Sequence, residues 1–232
     1  MPSSEHDSSN DSDPHFWLEE VEGDSALDWV RGHNERTLDA LQADPRYADF
    51  EAAALEVLTA DDRIPYGTIR DGFLYNFWQD EHHVRGLWRR TPVESYGTDD
   101  PDWDVLLDVD ELAEAEDANW VFKGANVFRP VGSDRYLCMV SLSNGGKDAI
   151  IQREFDLDAK DFVKSGFVTT EAKHGSAWID RDTMLVATDW RGDGSTLTES
   201  GYPSSVRLWK RGQSLDDATE LFSGQKTDVG VW

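Results

Sequence analysis

The chain has 232 residues, with 47 acidic against 22 basic side chains and a formal net charge of −25. Such a balance leaves no basic stripe to displace counterions from phosphates, which excludes nucleic acid as a partner, and it opposes binding to anionic membrane surfaces. A single cysteine, Cys138, excludes an intrachain disulfide and a cysteine-based zinc site.

Residues 1–13 are rich in Ser, Asp and Asn and are expected to be disordered. They show neither a basic n-region nor an apolar h-region, so no signal peptide is read here, and no apolar run approaches the length of a membrane span. A cytoplasmic location is the expectation. A helix follows, capped by Asp24 or Ser25, with Leu27, Val30, Leu38 and Leu41 at helical spacing and Asn34 as a polar interruption. A second helix is predicted to start after Asp44, with Pro45 at its first position and Tyr47, Phe50, Ala54, Leu55 and Leu58 on one side. Both helices are amphipathic and need a partner surface.

From Ile64 the period changes to that of strands. Tyr66–Arg70 and Phe73–Gln79 are joined at Asp71-Gly72, a strong hairpin signal, and Leu87–Thr91 and Trp103–Asp108 follow. The second unit holds Trp120–Phe122, Arg135–Leu142, Ala149–Phe155 and Asp161–Val163, with Asn144-Gly145-Gly146 as a turn. The third holds Ser176–Ile179, Thr183–Thr188, Val206–Lys210 and Glu220–Phe222, and Val229–Trp232 reads as the start of a fourth. The stretches Phe73–Asp108, Arg135–Phe162 and Thr183–Phe222 thus repeat one pattern, the mark of a β-propeller. Propellers need about four or more blades to close. The predicted fold is therefore mostly β: a partial, unclosed propeller of about three blades over residues 65–232, preceded by a short helical segment over 14–64.

The run DPHFWLEEVEGDSALDWVRGHNERTL, then RIPYGTIRDGFLYNFWQDEHHVRGLWRRT, SLSNGGKDAIIQREFDL and SGYPSSVRLWKRG, resembles the N-terminal part of the prolyl oligopeptidase family of serine peptidases. The resemblance covers nearly the whole chain. It implies that residues 14–64 pack on a C-terminal α/β-hydrolase portion and that the propeller gates access of short peptides to an active site that cleaves after proline. It also implies that the catalytic Ser, Asp and His lie outside these residues, so that the chain alone is inactive.

The sequence agrees with that implication. The nucleophile elbow G-x-S-x-G does not occur, and its nearest approach, Gly212-Gln213-Ser214-Leu215-Asp216, carries Asp in place of the second Gly and reads as a polar turn. Asp100, Asp102, Asp104, Asp108 and Glu111 fall at calcium-loop spacing, but Val105 stands where the loop requires Gly, so a solvated acidic loop running into a strand is read instead. His82-His83 beside Asp80 and Glu81 are expected on opposite faces of a strand, which one ion could not bridge. Gly145-Gly146-Lys147 lacks the rest of a phosphate loop, and Arg191-Gly192-Asp193 is read as a turn. Asn10-Asp11-Ser12 fits a glycosylation pattern without a route to that machinery. Cys138 reads as a buried thiol, and Trp78, Trp88, Trp178 and Trp209 as packing residues. No catalytic, cofactor-binding or metal-binding residue is assigned, and no cofactor is expected. The expected partners are a C-terminal hydrolase portion, another copy through open strand edges, or short peptides; the alternative function is a non-enzymatic peptide- or protein-binding module.

Asp outnumbers Glu 31 to 16 and Arg outnumbers Lys 15 to 7, a carboxylate-heavy composition that salt-adapted proteins push furthest and ordinary acidic cytosolic proteins share. Its self-repulsion has a measurable consequence. Raising the ionic strength from about 0.01 M to about 1 M shortens the Debye length from roughly 30 Å to roughly 3 Å. The thermal unfolding midpoint is expected to rise over that range; a flat or falling midpoint by circular dichroism would show that the charges are already compensated in pairs.

Overall fold

The computed structural model describes residues 13–20, 23–60, 62–129, 132 and 136–231. They form two compact units, Met1–Ala60 and Asp61–Trp232, a division that falls four residues before the one drawn from the sequence. Apart from Asp13, the stretch expected to be disordered lies outside the described residues, as does Asn10-Asp11-Ser12.

In the first unit a 3₁₀ turn, Phe16–Glu19, precedes α1 (Asp24–Gln42) and α2 (Tyr47–Thr59). Gly23, extended at φ −69° and ψ 133°, is the N-cap of α1, in place of the expected Asp24 or Ser25. The reason is local: a tight turn bonds the Gly23 N–H to the Glu20 carbonyl at 2.8 Å, so the helix starts one residue early and Asp24 faces its positive end. Pro45 likewise sits in a turn ahead of α2, because Asp44 takes the Arg46 N–H on its side chain at 2.9 Å and the Tyr47 N–H on its carbonyl, also at 2.9 Å. Trp29 packs edge-on to Trp17 and against His33. Leu38, Leu41, Phe50, Leu55 and Leu58 remain exposed, Phe50 and Leu58 at 69%.

The second unit is three four-stranded antiparallel meanders, each with its strands in sequence order. Blade I holds β1 (Gly67–Arg70), β2 (Phe73–Trp78), β3 (Leu87–Pro92) and β4 (Asp104–Asp108). Blade II holds β5 (Trp120–Phe128), β6 (Leu137–Asn144), β7 (Ile151–Asp156) and β8 (Asp161–Phe162), and blade III holds β9 (Gly175–Asp180), β10 (Thr183–Ala187), β11 (Ser205–Lys210) and β12 (Thr219–Ser223). The β1–β2 turn places Asp71 and Gly72 at φ 49° and 83°, the primed geometry that matches strand twist. Val229–Val231 form no strand; the Val231 N–H bonds the Pro203 carbonyl at 2.8 Å, and Trp232 lies outside the described residues.

Two features exceed the sequence reading. Strand β5 runs six residues past Phe122, because a bulge at Lys123 with Gly124 at φ 127° carries the ladder on with β6. Helices α3 (Val93–Tyr96) and α4 (Val109–Glu116) interrupt the β pattern. Asp108 caps α4 by accepting the N–H groups of Asp110 and Glu111, and Val109 and Ala113 are buried on one face of it. The signal was present: Asp108 and Glu111 stand at cap and N3, and apolar 109, 112 and 113 follow helical spacing.

Blade II is buried on both sides. Along β6 the side chains alternate: Cys138, Val140 and Leu142 join a cluster with Tyr75, Trp88, Leu106 and Leu107 of blade I, while Met139 joins one with Met184, Val186 and Trp209 of blade III. Aromatic rings close both seams. Phe122 stacks on Phe77 at 4.8 Å, and Phe167 meets Trp209 edge-on at 4.7 Å; such pairs add about 0.5–1.5 kcal/mol each beyond their buried area.

A buried ion pair locks the second seam. Glu154 on β7, with a side chain 1% exposed, takes both Nη atoms of Arg211 at 2.7 and 3.0 Å and the Phe167 N–H at 2.8 Å. Burial lowers the Arg211 pKa, but hydrogen bonds and charge from Glu154 and Asp182 raise it more. Removing one partner strands the other charge. Arg211→Ala is expected to cost about 3–5 kcal/mol in urea unfolding, whereas Arg211→Met with Glu154→Leu is expected to cost less; a single variant within error of wild type would contradict this role.

Candidate functional site

Most positions singled out in the sequence that fall among the described residues are employed in turns, caps and packing. Ser214 lies in the β11–β12 connection as the cap of a 3₁₀ turn, Leu215–Asp217, where no strand–helix elbow forms. In that turn the Gln213 carbonyl and side chain accept from Trp209 and Lys210. The acidic run is dispersed: Asp104 sits on β4, pairing with Arg90 at 3.1 Å and with Lys160, while Asp108 caps α4. Among the described residues no group of three or more His, Cys, Asp or Glu side chains is placed to hold a metal.

His82 and His83 lie in the β2–β3 turn and not on a strand, which corrects the expectation. Asp80 organises that turn, its Oδ1 accepting from the His82 N–H, the His83 N–H and His83 Nδ1 within 2.9 Å, and its Oδ2 from the Trp78 indole at 3.0 Å. Gly145 and Gly146 make the β6–β7 turn, and Lys147 pairs with Glu171 at 3.1 Å. Arg191–Asp193 belongs to the β10–β11 loop, held by Asp189, which accepts from the Thr196 hydroxyl at 2.6 Å and the Gly194 N–H at 2.8 Å. Cys138 is fully buried, and desolvation, with the Glu154 and Asp156 carboxylates adding, pushes its thiol well up; it is a packing residue. Trp88 and Trp209 are core, and Trp178 packs between Phe128 and Phe167. Trp78 carries the guanidinium groups of Arg63 and Arg89 at 4.8 and 4.6 Å. Burial brings Arg89 down to about 10, its Nε donating to Asn76 at 2.8 Å.

A cavity of about 370 Å³ that no sequence motif marked lies where the first strands of blades I and II meet. Its walls are β1, through Gly67, Thr68 and Arg70, and β5, through Gly124, Ala125 and Val127. Its floor is the aromatic array of the first seam, Tyr75, Phe77, Trp88 and Phe122, with Trp88 6.1 Å from Tyr75 and 5.8 Å from Phe122. Gly67 is required there, since a Cβ would stand 2.2 Å from the Tyr75 carbonyl, and the bulge at Gly124 bends β5 beside the hollow. A neighbouring hollow of about 460 Å³ shares Tyr66, Asn76 and Phe77. All four residues of β1 are exposed, and its far edge has no partner strand among the described residues. Arg70 at the rim donates to the Val127 carbonyl and is in no ion pair among the described residues. The arrangement can take an apolar side chain beside a fixed positive charge.

Comparison with known proteins places these blades. A family model of the prolyl oligopeptidase N-terminal β-propeller domain matches residues 3–231. An uncharacterized peptidase of Sinorhizobium fredii is 48% identical over 221 residues, and one of Rickettsia prowazekii is 37% identical over 225. These matches cover 95% and 93% of this chain, and the chain spans 30% of the length of either relative. The solved structure of a post-proline cleaving enzyme from Rickettsia typhi is 37% identical with a TM-score of 0.83, covering 92% of this chain and 31% of that one.

The Asp80 turn sets a pH dependence. Desolvation raises the Asp80 pKa, but the N–H groups of His83 and His82, the His83 ring and the Trp78 indole together lower it from 3.8 to about 2. A lowered carboxylate pKa contributes stability that is present above 3.8 and lost as pH falls toward about 2. Asp80→Asn is expected to flatten the fall of the unfolding midpoint across that window and to leave its slope above pH 5 unchanged (by thermal melts); identical slopes below about pH 4 would refute the assignment.

Proposed function

The chain belongs to the prolyl oligopeptidase family, in the part that forms the N-terminal β-propeller domain, and on that premise we propose that it serves a serine peptidase that cleaves short peptides after proline. Its share of the work is admission and positioning. The blades gate access sterically, and the bond is broken by a hydrolase portion whose Ser attacks, whose His carries the proton and whose Asp orients that His. The observation that carries this reading is the family match, continuous from residue 3 to 231 across the helical unit and all three blades.

Three surfaces support it. Helices α1 and α2 expose Leu38, Leu41, Phe50, Leu55 and Leu58, more apolar area than solvent tolerates without a covering surface. The outer face of blade III carries Ala177, Leu185, Ala187 and Val206 around a hollow of about 380 Å³, with Phe222 of β12 61% exposed; a further blade is the natural cover. The inner edge of β1 is bare, as an edge facing a channel would be. A cytoplasmic setting accompanies the proposal, supported by the acidic composition and single cysteine.

The purified chain is expected to leave a proline-containing chromogenic peptide intact. Mixed with the separately expressed remainder of the Sinorhizobium fredii relative, it is expected to form a complex by size exclusion and to restore hydrolysis. Turnover by the chain alone, or failure of the two parts to associate, would overturn the proposal.

A further inference from the structure

We propose that the cavity between β1 and β5 binds the C-terminal end of a short peptide, taking its last apolar side chain onto the aromatic floor and its carboxylate onto Arg70. The argument is chemical. Tyr75, Phe77, Trp88 and Phe122 give a floor that favours a bulky apolar or aromatic group, and the volume of about 370 Å³ accepts one such side chain.

The charge selects the rest of the ligand. Several cations of the blades are held by carboxylates: Arg90 by Asp104, Arg153 by Glu116, Arg211 by Glu154 and Asp182. Arg70 is in no ion pair among the described residues, and its bond to the Val127 carbonyl occupies one nitrogen. The remaining N–H groups of a guanidinium form a planar fork suited to a carboxylate. A guanidinium at the mouth of a hollow floored by aromatic rings, on an exposed edge strand, is complementary to the carboxylate end of a peptide. The assignment rests on the gating reading only for the claim that peptides reach this edge.

The test uses the 232-residue chain with N-acetyl-glycyl-phenylalanine, its C-terminal amide, and N-acetyl-glycyl-glycine, followed by calorimetry. The free acid is expected to bind about tenfold more tightly than the amide, the discrimination expected of one charge-assisted hydrogen bond, and the glycine peptide is expected not to bind detectably. Arg70→Gln, at an exposed strand position, is expected to bring the acid to the affinity of the amide. Ala125→Leu fills the hollow and is expected to abolish binding of both, with thermal melts reporting that the fold persists. Equal affinity of acid and amide for the wild-type chain, undiminished binding to Ala125→Leu, or no saturable binding in the millimolar range would each overturn the assignment. Complementation of a hydrolase portion reports separately on the family role: a chain that complements but shows no preference for the acid refutes this site alone.

Discussion

Residues 67–223 depend on one constraint, the burial of blade II on both of its faces. A sheet with one covered face can satisfy its pattern with polar residues on the other side, but β6 has no solvent side for most of its length. Its alternating side chains feed two separate cores, one shared with blade I and one with blade III. A one-residue slip of β6 would exchange the contents of both seams at once, so its register is specified twice. Blades I and III are then positioned by the same strand, and the seam geometry follows from it.

The seams differ in how they handle polarity. The first is closed by stacked rings around Phe122, with its ion pairs among Asp104, Arg90 and Lys160 near the outer strands. The second buries a complete bidentate pair, Glu154 with Arg211, over the Phe167 ring. That pair brings no assured gain over an apolar isostere, yet it makes misdocked blades costly, since any other register strands a carboxylate. The ring-closed seam leaves a hollow at its inner end, lined by the aromatic rings and by Gly67 and Gly124 of the two strands that meet there. The same hollow that is a packing deficit for the sheet array is a recess for a side chain.

Much of this was legible in the sequence. Period-two runs and the Asp71-Gly72 turn located β1 to β4, and the repeat of that pattern gave three sheets. The failures have physical reasons. The sequence ends β5 at Phe122, whereas a bulge at Lys123 lets the ladder continue to Phe128. Helix α4 is masked in the sequence although Asp108 and Glu111 stand at its cap and N3, since its apolar positions run on from the strand pattern of Val105–Leu107. His82 and His83 follow a strand run that the sequence ends at Gln79, and only the Asp80 hydrogen bonds show that the chain turns through them.

The order of amino acids alone determined the class of fold, the number of sheets, the employment of the glycine-rich clusters as turns, and the want of a nucleophile elbow within these residues. Each is a local property, written in period, turn chemistry or spacing over fewer than about a dozen positions. The cavity, the bond from Arg70 to the Val127 carbonyl and the buried Glu154–Arg211 pair were decided by tertiary structure. They join residues 57 positions apart, as Arg70 with Val127 and Glu154 with Arg211, and no pattern along the chain encodes which faces of two sheets will meet or what their meeting leaves unfilled.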